Sequence, residues 1–120
     1  MIVVPVQKDG FCYIACAPES LPVASEADAL ELVAACGEAG TDRLLLLEEN
    51  LGEDFFHLST CLAGLVLQKL DNYRIRAALV IAKERMQRGK FHEFILETNR
   101  GSQFHFCEDR AQAEAWLKQP

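Results

Sequence analysis

Four carboxylates, Glu48, Glu49, Glu53 and Asp54, crowd one short stretch of this 120-residue chain. Paired carboxylates can act as general acid and base, or hold a divalent cation. The plainer reading is electrostatic: Glu53 and Asp54 precede a helical turn and favour its positive end. Next to them, Phe55, Phe56 and Leu58 are expected to tuck at least one ring under the sheet edge. A ring left exposed becomes an anchor for a protein partner. Ser59 and Thr60 open the following helix, where a hydroxyl satisfies orphan amides as an N-cap. Phosphorylation there would set a dianion at a helix start, favoured by the dipole and opposed by the nearby carboxylates.

The other reactive residue types form no comparable group. Five cysteines contain no CxxC pair, so the local signature of a zinc site or a thioredoxin motif is missing. Cys12 and Cys16, four apart on a strand, share a face about 13 Å from each other, too far for one metal. Cys36 and Cys61 fall among apolar helix residues and read as buried structural thiols. His57, His92 and His105 occupy a loop, a helix and a strand. His105 and Cys107 share a strand face and would need a third ligand from elsewhere to bind a metal. A glycine-rich phosphate loop and a GxSxG elbow are both missing, which argues against an ordinary nucleotide-dependent enzyme, and no cofactor or metal is expected.

The elements that must position the acidic loop follow from periodicity. Leu44 to Leu47 form an unbroken apolar run, which reads as a strand buried on both faces inside a parallel sheet. The loop leaving the carboxyl end of such a strand is where open α/β sheets usually carry their working residues. Upstream, Ile2 to Gln7 and Phe11 to Cys16 flank an Asp9-Gly10 turn and predict an antiparallel hairpin. Pro5 cannot donate to a ladder, so the first strand belongs at an edge or carries a bulge. Ser25 with Asp28 starts a helix that runs to Gly40. A wide apolar arc predicts a helix from about Ser59 to Asn72, in which Gly64 suggests close packing against a neighbour. Arg76 to Ala82 is a second apolar strand, Lys90 to Asn99 a helix, and Phe104 to Cys107 a half-buried strand. Asp109 with Gln112 caps a last helix. The order is ββαβαβαβα: an α/β fold, with a mostly parallel sheet opened by an antiparallel hairpin, in a single domain.

Composition sets outer limits. Half the residues are hydrophobic and a quarter charged, the balance of a globular protein able to bury a core without staples. A net charge of −6 and scattered basic residues argue against nucleic acid as a partner. Lys83, Arg85, Arg88 and Lys90 are the densest basic group and read as a solvated loop or helix end. The start, Met1 to Pro5, lacks the basic region and cleavage site of a secretory signal, and the longest apolar stretch is far short of a membrane span. An odd cysteine count without framework spacing suits a reducing compartment, so cytoplasmic residence without a membrane partner is expected.

Two resemblances add to this reading. Glu53-Asp54-Phe55-Phe56-x-Leu58, Leu62-Ala63-Gly64, Gln68-Lys69-Leu70, Asn72-Tyr73-Arg74 and Glu97-x-Asn99-x-Gly101 resemble a small bacterial family classed only as a domain of unknown function. That likeness spans nearly the whole chain and implies no activity. The element order is similar to that of STAS domains, which include anti-sigma-factor antagonists. In those, a phosphorylatable Asp-Ser-Ser-Gly type motif follows a central buried strand. Here His57-Leu58-Ser59-Thr60 stands at the corresponding position, without the Asp and with no Gly directly after.

The expectation is a non-enzymatic, STAS-like interaction module that binds a protein partner or small ligand through the loop 49–60. The binding set is Glu53, Asp54, Phe55, Phe56, Ser59 and Thr60, with Asn72, Tyr73 and Arg74 from the shared pattern. The acidic rim favours a basic partner. The alternative is a small hydrolase or metal-dependent enzyme built on Glu53 and Asp54, with His57 or with Tyr73 and Arg74. A third reading pairs two copies through the apolar helix Ser59 to Tyr73.

Overall fold

A computed structural model describes all residues 1–120. Its sheet has five strands in spatial order β1-β2-β3-β4-β5: Val3–Lys8, Phe11–Cys16, Arg43–Leu47, Arg76–Val80 and Phe104–Cys107. β1 and β2 are antiparallel, and β2 to β5 run parallel. The helices are α1 (Glu26–Ala39), α2 (Leu62–Asn72), the single turn α3 (Lys83–Met86), α4 (Gly89–Asn99) and α5 (Arg110–Lys118). No helix is long and apolar enough to cross a membrane.

Because consecutive parallel strands are also spatial neighbours, right-handed crossovers put every connecting helix on one face. The larger core lies there. It joins Ile14, Leu44, Ala77 and Phe104 from one row of the sheet to Leu32 of α1, Val66 of α2 and Ile95 of α4. The smaller core on the other face is covered by α5 alone. There Leu45 lies between Ala15 and Ala78 in register, and the small flanking side chains let Ala113 and Leu117 come close. Leu44, Leu45 and Leu46 are all fully buried, so β3 is sealed on both faces as its apolar run requires.

Caps follow the sequence where local chemistry decides them. The Ser25 hydroxyl accepts from Asp28 N, and Gly40 ends α1 in the left-handed region at φ 70°. Asp109 accepts from Gln112 N at 2.8 Å. The carboxyl end of α5 has charged partners instead. Arg43 and Arg76, side by side in register, donate to Leu117 O at 2.8 Å and Gln119 O at 2.6 Å respectively.

Both sheet borders are modified. The bond from Ala17 N to Ile2 O sets the β1–β2 phase, and Pro5 therefore falls where an N–H would point away from the sheet. At β5, the Asn99 carboxamide accepts from Phe106 N at 2.8 Å and donates to Phe106 O at 3.1 Å.

Two expectations about α2 change. The helix starts at Leu62, because Ser59 and Thr60 lie in a 3₁₀ turn and Cys61 then adopts a left-handed φ of 64°. Gly64 faces open space, and a Cβ added there would meet nothing within 4 Å. Its lack of a side chain serves no packing contact inside this chain.

Burial predicts an asymmetry measurable by urea unfolding. Leu44→Ala, in the larger core, should cost about 3 kcal/mol. Leu65→Ala, on the exposed side of α2, should stay within about 0.5 kcal/mol. Equal losses would contradict this packing.

Candidate functional site

The loop between β3 and α2 is built from short 3₁₀ turns at Glu48–Asn50, Glu53–Phe56 and Leu58–Thr60. Its path follows from burying two adjacent rings. Phe55 is fully buried and Phe56 is 9 % exposed. Both meet Phe91 of α4 edge to face, at centroid distances of 6.3 and 5.4 Å. Phe91 in turn contacts Phe94 and Phe106, so the loop is bound to α4 and β5 through one aromatic cluster. At least one ring is expected inside; both are, so neither is left as an exposed anchor, and of the two only Phe56 reaches a cleft wall.

Asn50, which the sequence did not single out, fixes the loop's root. It is fully buried. Its Oδ1 accepts from Leu47 N at 2.9 Å and its Nδ2 donates to Ala17 O at 3.2 Å, joining the exits of β3 and β2. Asn50 O accepts from Val23 N at 2.7 Å, and Gly52 N donates to Val23 O at 3.0 Å. A Cβ on Gly52 would lie 3.2 Å from Val23 O, so glycine permits this close approach. Isolated Asn and Gly after a strand look like ordinary turn residues, and only the contact with residues 17–23 reveals their work.

Two of the four carboxylates are engaged with one cation. Glu48 Oε2 lies 3.2 Å from Arg85 Nε, and Glu53 Oε1 is 3.2 Å from the same guanidinium. Arg85 also sits over the Phe56 ring at 4.1 Å. Glu48 Oε1 accepts from Ala82 N at 2.8 Å, which ties the exit of β4 to that of β3. The hydrogen bond and charge of Arg85 hold the Glu53 carboxyl below its ordinary range. Glu53 also faces His57 Nε2 at 3.5 Å. Asp54 is exposed and uses its main-chain carbonyl, which accepts from the Thr60 hydroxyl at 2.6 Å. That hydroxyl also approaches His57 O at 2.7 Å and accepts from Leu62 N at 3.3 Å. Thr60 is a loop fastener, whereas the Ser59 side chain is exposed.

A cleft of about 580 Å³ opens between this loop and the segment 85–91. Glu53, Phe56, His57, Leu58 and Ser59 form one wall; Arg85, Arg88, Gly89, Lys90 and Phe91 form the other. Its ionic lining is three cations against one carboxylate. Of the four loop carboxylates, Glu48 and Glu53 share Arg85 while Glu49 and Asp54 are in no ion pair, and Arg88 and Lys90, likewise in none, line the cleft.

The remaining candidates lie elsewhere. Asn72, Tyr73 and Arg74 are exposed at the far end of α2, about 16 Å along its axis from Leu62, near the amino end of β4. They do not join Glu53 to Thr60. Cys61 is exposed rather than buried, whereas burial pushes Cys36 up to about 12 and Cys16 and Cys107 up to about 11, leaving those three as inert thiols. His105 stacks on Trp116 at 5.4 Å. No group of three or more His, Cys, Asp or Glu side chains is placed to hold a metal ion.

The chain belongs to the family described as Domain of unknown function (DUF4180), whose model matches residues 8–117. Neither a curated protein nor a solved structure matches it.

Two outcomes follow from these contacts. Asn50→Ala should cost about 1–3 kcal/mol in urea unfolding, because it strips partners from Leu47 N and Ala17 O; a loss within about 0.3 kcal/mol would deny Asn50 its clamp role. Since Glu53 titrates below its ordinary 4.5 in the fold, its link to Arg85 persists above that value and is lost as pH falls through the depressed one. The side-chain carboxyl 13C resonance of Glu53 should therefore titrate with a midpoint under 4.5 in wild type, and that midpoint should rise in Arg85→Gln, which removes the bond from Nη1.

Proposed function

We propose that this DUF4180 domain is a cytoplasmic, non-enzymatic binding and regulatory module, taking a small ligand or a short segment of a protein partner in the cleft between residues 53–59 and 85–91. The observation that supports it is the construction of the cleft. A concave site of this volume suits a small molecule. Its walls leave the carboxyl ends of adjacent strands, and they are fastened by Asn50, Glu48, Arg85 and the Phe91 cluster. A preformed wall of this kind lowers the ordering cost of binding.

A catalytic reading has less support. Of Glu53 and Asp54, only Glu53 lines the cleft, and its lowered pKa keeps it ionised, unlike a general acid working near neutrality. A hydrolase built on the Glu53 and Asp54 pair would have only one of its two carboxylates at the cleft. Regulation would act through Ser59, whose hydroxyl is at the cleft, in preference to Thr60, whose hydroxyl is engaged with the loop. Pairing of two copies would use the exposed Leu65 of α2 and Leu96 of α4, and gel filtration distinguishes it from a monomer.

Amide NMR with a small-molecule fragment library tests the cleft. Shifts are expected to cluster at 53–59 and 85–91, and Ser59→Trp, which fills the mouth from an exposed position, should abolish them with little change in Tm. Clustering in the groove between α2 and α4, around Gly64, Gln68 and Thr98, would move the site away from this cleft.

A further inference from the structure

We propose that the cleft recognises the anionic group, phosphate or carboxylate, of a small organic ligand whose apolar part rests on Phe56, Leu58 and Phe91. This rests on the reading of the cleft as the binding site, and adds the charge and shape of what enters it. Those three side chains are the hydrophobic members of the lining. Leu58 is half-buried, whereas Phe56 and Phe91 are 9 % and 5 % exposed and contribute only the small part of each side chain that reaches the cleft.

The rim carries the argument. Arg85 is matched by Glu48 and Glu53, and neither Arg88 nor Lys90 takes part in any ion pair of the chain. Both line the cleft. Two cations without an ion-pair partner therefore line one concavity in a protein whose net charge is −6. Five of the twelve Lys and Arg side chains sit in ion pairs, among them Lys8 with Glu114 and Lys69 with Glu26; of the seven that do not, Arg88 and Lys90 are the two that line this cleft. A basic concavity in an otherwise acidic surface focuses anions toward itself.

The backbone adds to the same sign. Arg88 is the N-cap of the eleven-residue α4, makes no side-chain cap, and is followed by a first turn with no acidic residue. Gly89 and Lys90 thus bring the positive end of the helix to the wall without local cancellation. On the facing wall, Ser59 is exposed and can donate to an oxygen of the ligand. An inorganic anion alone would make no use of the apolar members of the lining, and a neutral apolar molecule would leave the cations unmatched.

The test is amide NMR titration of the full chain with phenyl phosphate, benzoate, benzyl alcohol and benzylamine. Phenyl phosphate and benzoate should bind, shifting amides at 56–59 and 88–91. An Arg88→Gln, Lys90→Gln double variant should weaken phenyl phosphate about tenfold, a few-fold for each exposed charge contact. Raising salt to about 0.5 M should weaken phenyl phosphate binding to the wild-type chain and spare benzyl alcohol; salt-insensitive binding overturns the inference without recourse to a variant. Binding of benzyl alcohol or benzylamine at the same amides, as tight as phenyl phosphate, overturns the anion preference and leaves the cleft a binding site. Silence of those amides toward all four probes overturns both.

Discussion

The burial of Phe55 and Phe56 is the constraint from which the rest of the site follows. Two neighbouring rings cannot both enter one core from an extended strand, whose side chains alternate between faces. The chain resolves this by coiling into 3₁₀ turns, which bring both rings against Phe91. Once Phe56 is seated, its outward face becomes a platform for Arg85, and Glu53 is carried to within bonding reach of that guanidinium. The charge pattern of the cleft is thus a by-product of aromatic packing. Removing the rings would relocate the charges as well as open a cavity.

The sheet's winding decides where a cleft can form at all. In doubly wound sheets the crevice opens where the strand order reverses and successive loops diverge. Here the order is strictly sequential and contains no reversal. Adjacent exits from β3 and β4 would ordinarily lie close together. They are held apart by the long turn series after β3 and by the extra turn α3 after β4, with Glu48 bridging them through Ala82 N. Irregular segments, rather than topology, make the concavity.

This division explains what could be read in the chain before its coordinates. The tetraleucine strand, the hairpin with its edge proline, and the Ser25 and Asp109 caps depend on periodicity and on partners a few residues away, so they are legible locally. The start of α2 was misread because Ser59 and Thr60 have the composition of N-caps, while the left-handed turn at Cys61 depends on how the preceding rings pack; its end at Asn72 stands where expected. The pairing of the loop's charges was hidden for a related reason. Four carboxylates in one stretch look like an acidic surface until Arg85, far along the chain, is brought over Phe56 to meet two of them. Asn50 and Gly52 were passed over because their partners belong to the segment after β2. Asn99, noticed only as part of a shared pattern, acquires a physical role from its two bonds to Phe106.

That role of Asn99 bears on how this molecule can meet others. Many domains recruit an extended peptide by letting it zip onto an open strand through main-chain bonds, largely indifferent to side chains. Here a guest strand beside β5 would first have to evict a carboxamide that already mimics it, and one beside β1 would find no donor at Pro5. Recognition is thereby left to the chemistry of side chains at the rims and helical surfaces, and sequence-blind polymerisation through the sheet is discouraged at both of its margins.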